Sequence, residues 1–227
     1  MPGYLVKQER IAVAGAPDLL IRSLLDRQQF SDPQGAAERA GIGSAEWPLF
    51  GLLWPSGLQL AVRLAQRSFR PGERILEMGC GLALASLVAH RRGADVTASD
   101  KHPLTALFLE HNLRLNALAP MDYRHGEWAL PTLAAPLVTG SVRGRFDLLI
   151  GSDLLYERGS GPMLAGFVGR HARPEAEVWI VDPDRGNRSP FHRAMHGLGF
   201  QLQEERLDHA ATELAPAYKG RLLSYRR

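Results

Sequence analysis

Glu77, Gly79, Gly81 and Asp100 are the residues whose types and spacing say most about chemistry. They stand in Arg74-Ile-Leu-Glu-Met-Gly-Cys-Gly-Leu-Ala-Leu-Ala, followed by Ala94-Asp-Val-Thr-Ala-Ser-Asp100. The pattern is an apolar strand, a tight glycine turn, a helix, and a second strand ending in an acid. Glycine lets the backbone approach a ligand closely, and a helix N-terminus offers N–H groups to an anion. An acid about twenty residues past the glycines is placed to bind a ribose diol. These residues predict half of a pocket for an adenosine-containing cofactor.

A dinucleotide-binding turn carries G-x-G-x-x-G, whose third glycine lets helix and strand pack closely. Leu84 occupies that position here, which argues against NAD. Glu77 argues for a cofactor with an ammonium group, because a carboxylate there can accept its hydrogen bonds. S-adenosylmethionine has such a group and NAD does not. The turn would then hold the methionyl carboxylate as it would a phosphate. The bland alternative is a glycine turn in an unrelated α/β fold; Glu77, Asp100 and the strand-rich end of the chain weigh against it.

The elements needed to position these residues are legible. Apolar runs bounded by turn signals predict strands at 74–78, 94–99, near 121–125, 146–151, 177–181, 200–207 and 220–226. Helical spacing predicts helices at 58–68, 82–91, 104–117, 162–171 and 189–198. The alternation implies an α/β, Rossmann-like, seven-stranded and mostly parallel sheet with helices on both faces. The last two strands lack an intervening helix and should pair antiparallel. Pro17 to Arg27 has apolar residues at helical spacing, so residues 1–46 read as a helical extension ahead of a domain over 47–227.

Composition narrows the class. The chain has 227 residues, 45% of them hydrophobic, enough for a sizeable core. No apolar run is long enough to span a bilayer, and the N-terminus lacks a signal-peptide core. One cysteine, Cys80, excludes an internal disulfide and fits a reducing, cytoplasmic setting. The net charge is only +3 and the arginines are scattered, so no nucleic-acid stripe is expected. His192 and His196 have metal-compatible spacing but no accompanying His-Glu-x-x-His pattern, and read as a solvated helix face; no metal site is expected. Cys80 reads as a small turn residue rather than a nucleophile. Ser56 and Ser152 lack a G-x-S-x-G context.

Further segments carry a resemblance. Leu53-Trp-Pro-Ser-Gly57, Leu76-Glu-Met-Gly-Cys-Gly81, Asn112-Leu-Arg-Leu-Asn116 and Ser152-Asp-Leu-Leu-Tyr156 are similar to segments of the seven-β-strand, class I methyltransferases, and within them of the family-16 protein-lysine methyltransferases. The last, an Asp-x-x-Tyr motif, is the most specific. Val181-Asp-Pro-Asp-Arg185 resembles an Asp-Pro-Gly-Arg stretch of the branch that methylates the electron-transfer flavoprotein β-subunit, with Asp184 in place of glycine. The resemblance covers about Trp47 to the C-terminus. It implies S-adenosylmethionine as cofactor, held by Trp54, Glu77, Gly79, Gly81, Asp100, Trp128 and Ser152. Trp54 would cover the methionine part and Trp128 would lie beside the adenine. Asn112 and Asn116 share one helix face and read as a hydrogen-bonded polar face rather than ligand contacts.

Asp153 and Tyr156 are the implied catalytic pair. Asp153 follows a strand at the sheet edge where ligands bind, too far from the next helix to cap it. The implied reaction is in-line attack of a lysine amine on a sulfonium methyl, in which alignment and exclusion of water do most of the work. A free lysine has a pKa of about 10.4, so the neutral amine lies roughly 4–5 kcal/mol uphill near pH 7. Asp153 should position the amine first and accept a proton second, and Tyr156 should hold the amine. A small amine in place of a protein substrate, or a non-catalytic binding module, are the alternatives. Arg185 would shape the substrate mouth or pair with an acid there.

Overall fold

The computed structural model describes residues 3–129, 140–157, 159–211 and 217–227. It begins with a hairpin of β1 (Val6–Val13) and β2 (Ala16–Leu24), turning at Gly15 with φ 85°. The helix expected over 17–27 is therefore a strand. Leu19, Ile21 and Ser23 point inward at period two, and all three are buried. The run Leu19-Leu20-Ile21 satisfies either period, so local pattern could not decide. Its partners decide, namely β1 and two side chains described below. The only helix described within residues 1–46 is the four-residue α1 (Ala36–Arg39).

A short 3-10 helix, Trp47–Gly51, leads into α2 (Pro55–Gln66), and β3 (Arg74–Met78) follows. Then come α3 (Leu84–Arg91), β4 (Asp95–Asp100), α4 (Thr105–Leu115), β5 (Asp122–His125), β6 (Phe146–Ser152), α5 (Ser160–His171), β7 (Ala172–Asp182), α6 (Arg188–Gly197), β8 (Gln201–Arg206) and β9 (Arg221–Arg226). The seven strands β3 to β9 form one sheet in the order β5-β4-β3-β6-β7-β9-β8. Strands β3 to β7 run parallel, and β9 is antiparallel to both β7 and β8. The expected closing hairpin is present, with β9 placed between β7 and β8.

Successive strand residues enter opposite cores. Ile75, Leu148 and Ile150 pack with Leu60, Leu64 and Leu87 on one face. Leu76, Leu149 and Val178 pack with Leu164, Phe167 and Phe191 on the other. Burial on both faces explains why these strands read as unbroken apolar runs.

Asn112 and Asn116 on α4 hold the hairpin. Leu20 N–H donates to Asn116 Oδ1 at 2.9 Å, and Asn116 Nδ2 donates back to Leu20 O at 2.8 Å. Arg22 N–H donates to Asn112 Oδ1 at 2.8 Å, and Asn112 Nδ2 to Arg22 O at 3.3 Å. The two amides thus act as the next strand beside β2. The polar helix face is hydrogen-bonded, as expected, but to backbone. Among the described residues no helix is long and apolar enough to cross a membrane.

Candidate cofactor and acceptor site

The C-terminal ends of β3, β4 and β6 open into one cavity of about 340 Å³. Here the sheet order reverses about β3, the position at which ligand crevices open in such folds. Trp54, Glu77, Gly79, Gly81, Asp100, Trp128, Ser152, Asp153 and Tyr156 all line it. Residues 75 positions apart in sequence are joined because three parallel strands end together.

The turn after β3 requires its glycines. Gly79 and Gly81 have φ of 57° and 51°. A Cβ on Gly79 would stand 2.7 Å from Leu154 Cδ2, and one on Gly81 would stand 3.0 Å from Phe50 O. The turn's N–H groups are less available than the sequence implied. Gly81 N–H donates to Asp100 Oδ2 at 2.9 Å, and Cys80 N–H to Ser99 O at 2.9 Å. Asp100 Oδ1 accepts from His102 N–H at 2.9 Å. Asp100 therefore joins the turn to the second strand. Its oxygens keep lone pairs for a further donor, because a carboxylate has about four acceptor sites.

Glu77 is buried, and its Oε2 accepts from Ser86 N–H at 3.0 Å and from Ser86 Oγ. Burial pushes its pKa up to about 7, against the lowering effect of the Ser86 hydrogen bonds. Burial also pushes the Cys80 thiol well up, with Asp100 and Glu77 adding to the effect, which suits a packing role.

The aromatic residues have defined places. Trp54 Nε1 donates to Leu49 O at 2.9 Å, fixing the indole on the cavity wall. Trp128 packs against Gly79, with Cζ2 lying 3.3 Å from the position of a Cβ there. Ser152 Oγ lies 3.5 Å from the corresponding position on Gly57, so the first turn of α2 abuts the end of β6.

Asp153 has φ 56°, a left-handed conformation that Asp tolerates better than most residues. Its carboxylate is gripped at two points by Arg185: Nε donates to Oδ1, and Nη2 to Oδ2 at 2.7 Å. Tyr156 is 41% exposed at the mouth. Burial and the acids nearby raise its pKa to about 12, so the phenol stays protonated. Glu46 and Glu157 both line the cavity; burial and the neighbouring Glu46 carboxyl raise the pKa of Glu157.

His102, Glu46 and Glu157 line the cavity and were not singled out from sequence. His102 stacks on Phe50 at 3.7 Å with its ring 13° from parallel, and burial drives its pKa down to about 3. Only the fold brings Phe50 and Glu46 to this wall, so no local spacing announces them. The loops near 130–143 and 208–219, which adjoin the acceptor side in sequence order, lie partly outside the described residues.

The residues fit S-adenosylmethionine. Trp128 Nε1 and His102 Nε2 are buried without partners among the described residues, beside a glycine turn that leaves room for close approach. Glu77 offers a carboxylate to an ammonium group.

Comparison with known proteins agrees. The family described as Lysine methyltransferase matches residues 48–193. The chain belongs to the lysine methyltransferase family. Within the range of this family, an electron transfer flavoprotein beta subunit lysine methyltransferase of Danio rerio is 28% identical over 166 residues, covering 69% of this chain and 59% of the relative. The Xenopus laevis protein of the same name is 28% identical, covering 63% of this chain and 55% of its own length. The matched part thus spans less than two thirds of these relatives. The EEF1A lysine methyltransferase 3 of Mus musculus is 23% identical, covering 77% of this chain and 71% of its own. Among solved structures, the magnesium protoporphyrin IX methyltransferase of Synechocystis with bound SAM aligns with a TM-score of 0.55 at 16% identity, covering 75% of this chain and 77% of that one. That likeness shows the shared fold.

Proposed function

We propose that this protein transfers the methyl group of S-adenosylmethionine to a lysine amine of a protein. The observation that carries this reading is one continuous cavity joining the glycine turn to Asp153 and Tyr156. A cofactor pocket without an acceptor end would need neither residue.

When bound, S-adenosylmethionine supplies an electrophilic methyl on a positively charged sulfonium. Glu77 holds the ammonium of the methionyl tail, and Gly79 and Gly81 give that tail room. Asp100 would take the ribose hydroxyls, Trp128 would lie beside the adenine, and Trp54 and Ser152 would close the wall near the sulfonium. At the mouth, Asp153 accepts a hydrogen bond from the incoming amine and Tyr156 presents ring and hydroxyl to it. Glu46 and Glu157 add acid to the mouth, which suits a cationic side chain over an anionic one. Residues 47–227 act as the catalytic domain with 1–46 packed onto it, and a reducing, cytoplasmic setting suits the single buried cysteine.

Labelled S-adenosylmethionine and host lysate, followed by mass spectrometry, test the reading. Label on protein lysine is expected. Label confined to small molecules would replace the protein acceptor with a small amine, and no label with tight cofactor binding would leave a binding module. Asp153→Asn is expected to lower turnover at least tenfold; unchanged turnover would remove Asp153 from the mechanism.

A further inference from the structure

A carboxylate at the acceptor end has two opposed effects. It attracts a lysine ammonium, and it raises the pKa of that ammonium, by about 1–3 units for a close opposite charge. Only the neutral amine can attack a methyl group. An uncompensated Asp153 would bind its substrate in the unreactive form.

Arg185 answers this conflict. Its guanidinium meets both Asp153 oxygens, the two-point geometry of a strong carboxylate pair, and guanidinium does not lose its proton in proteins. The Asp153 side chain is 9% exposed and that of Arg185 is 39% exposed, so the carboxylate is shielded while water partly screens the pair from the Arg185 side. Arg185 is itself held. Its backbone N–H and that of Asp184 donate to Oδ1 of the fully buried Asp182, at 3.3 Å and 2.9 Å. The Asp153 N–H donates to Val181 O at 2.8 Å, which latches the loop after β6 to the end of β7. Both members of the pair line the cavity. The carboxylate keeps unused lone pairs, so it can still orient an amine.

We propose that Arg185 is a positioning residue: it fixes the Asp153 carboxylate at the acceptor end and cancels its charge, so that a bound lysine amine gives up its proton readily. The inference rests on the lysine reading above. The ammonium first loses a proton to solvent. The freed lone pair on Nζ then forms the N–CH3 bond as the S–CH3 bond breaks, and the sulfonium becomes a neutral thioether.

Other titratable and charged groups face the pair: Asp182 beneath it with Arg188 at 3.7 Å, Tyr156, Glu157 and Glu46 at the mouth, Lys101, and Tyr218. All are common to wild type and variants, so the comparison isolates Arg185. The experiment uses Arg185→Gln and Arg185→Lys. Rates of label transfer to lysines of host-lysate protein are followed from pH 6 to 10. Binding of Nα-acetyl-lysine methylamide to protein loaded with S-adenosylhomocysteine is measured at pH 7. For Arg185→Gln the midpoint of the pH–rate curve should rise by about one unit, and the lysine probe should bind about tenfold more tightly, even as the rate at pH 7 falls. Arg185→Lys should restore the midpoint although part of the rate stays lost. Mere structural damage would lower the rate with the midpoint unmoved and the probe bound no more tightly, and that result overturns the proposal. Should wild type label no lysine, the lysine reading falls and this inference with it; failure of the inference alone leaves wild-type lysine labelling intact.

Discussion

Glu77 shows how one buried acid ties cofactor binding to pH. Burial holds its pKa at about 7 in the ligand-free protein. An ammonium placed against it favours the carboxylate, so binding near neutrality should release a proton. Affinity for S-adenosylhomocysteine is therefore expected to rise between pH 6 and 8, and calorimetry in buffers of different ionisation heat should detect the released proton. Glu77→Gln should bind at least tenfold more weakly with a flat pH response; an equal slope in both proteins would assign the titration elsewhere. Glu77 was legible because it stands two residues before Gly79, a local spacing with a local cause. His102 was not, because its significance comes from stacking on Phe50 and from a turn at Asp100. Asp153 was legible as an acid at a strand end, while its grip by Arg185 depends on β6 and β7 lying side by side.

At the level of elements, the hairpin depends on α4. Asn116→Leu removes both hydrogen bonds to Leu20 and leaves a backbone donor and acceptor unpaired. Such losses cost about 1–3 kcal/mol for each fully buried group and less for these part-buried ones, so destabilisation of roughly 2–4 kcal/mol is expected in urea unfolding. Hydrogen exchange should quicken across β1 and β2 while β3 and β6 stay protected; uniform quickening would show that the hairpin does not open separately. Asp184 illustrates a different local constraint. It has φ 62°, a conformation that glycine adopts most easily, and its carboxylate is held by Arg206 at 2.8 Å and Arg221 at 2.7 Å. Asp tolerates that conformation, and the arginines employ the side chain that glycine lacks.

Across the whole molecule, buried titrating groups give stability a pH dependence with opposing parts. Glu77 has a folded pKa above its unfolded value, so the folded state holds more protons between about pH 4.5 and 7. Its stabilising contribution is complete below pH 4.5 and is lost as pH rises through 7. His102 has its folded pKa depressed to about 3, so its contribution is present above about pH 6.5 and is lost as pH falls through 3. The terms oppose each other in the acid range. Replacing Glu77 separates them: in ligand-free thermal melts, Glu77→Gln should gain on wild type by a few degrees as pH rises from 5 to 8. A gap that does not change with pH would count against the buried charge as its source. Both signs follow from burial, which only the assembled fold creates.

The division between sequence and structure follows the range of the forces involved. The positions of β3 to β9, the glycine turn and the acid after the second strand were set by neighbours along the chain, through backbone sterics and apolar periodicity, and so could be read directly, while the Asp-x-x-Tyr motif was read from a family resemblance. Residues 17–27, the use of Gly81 N–H on Asp100, the pairing of Asp153 with Arg185 and the meeting of Glu46 with Glu157 involve partners far away in sequence. There the tertiary structure decided, because a hydrogen bond or an ion pair depends on distance in space, and the local pattern was compatible with more than one partner.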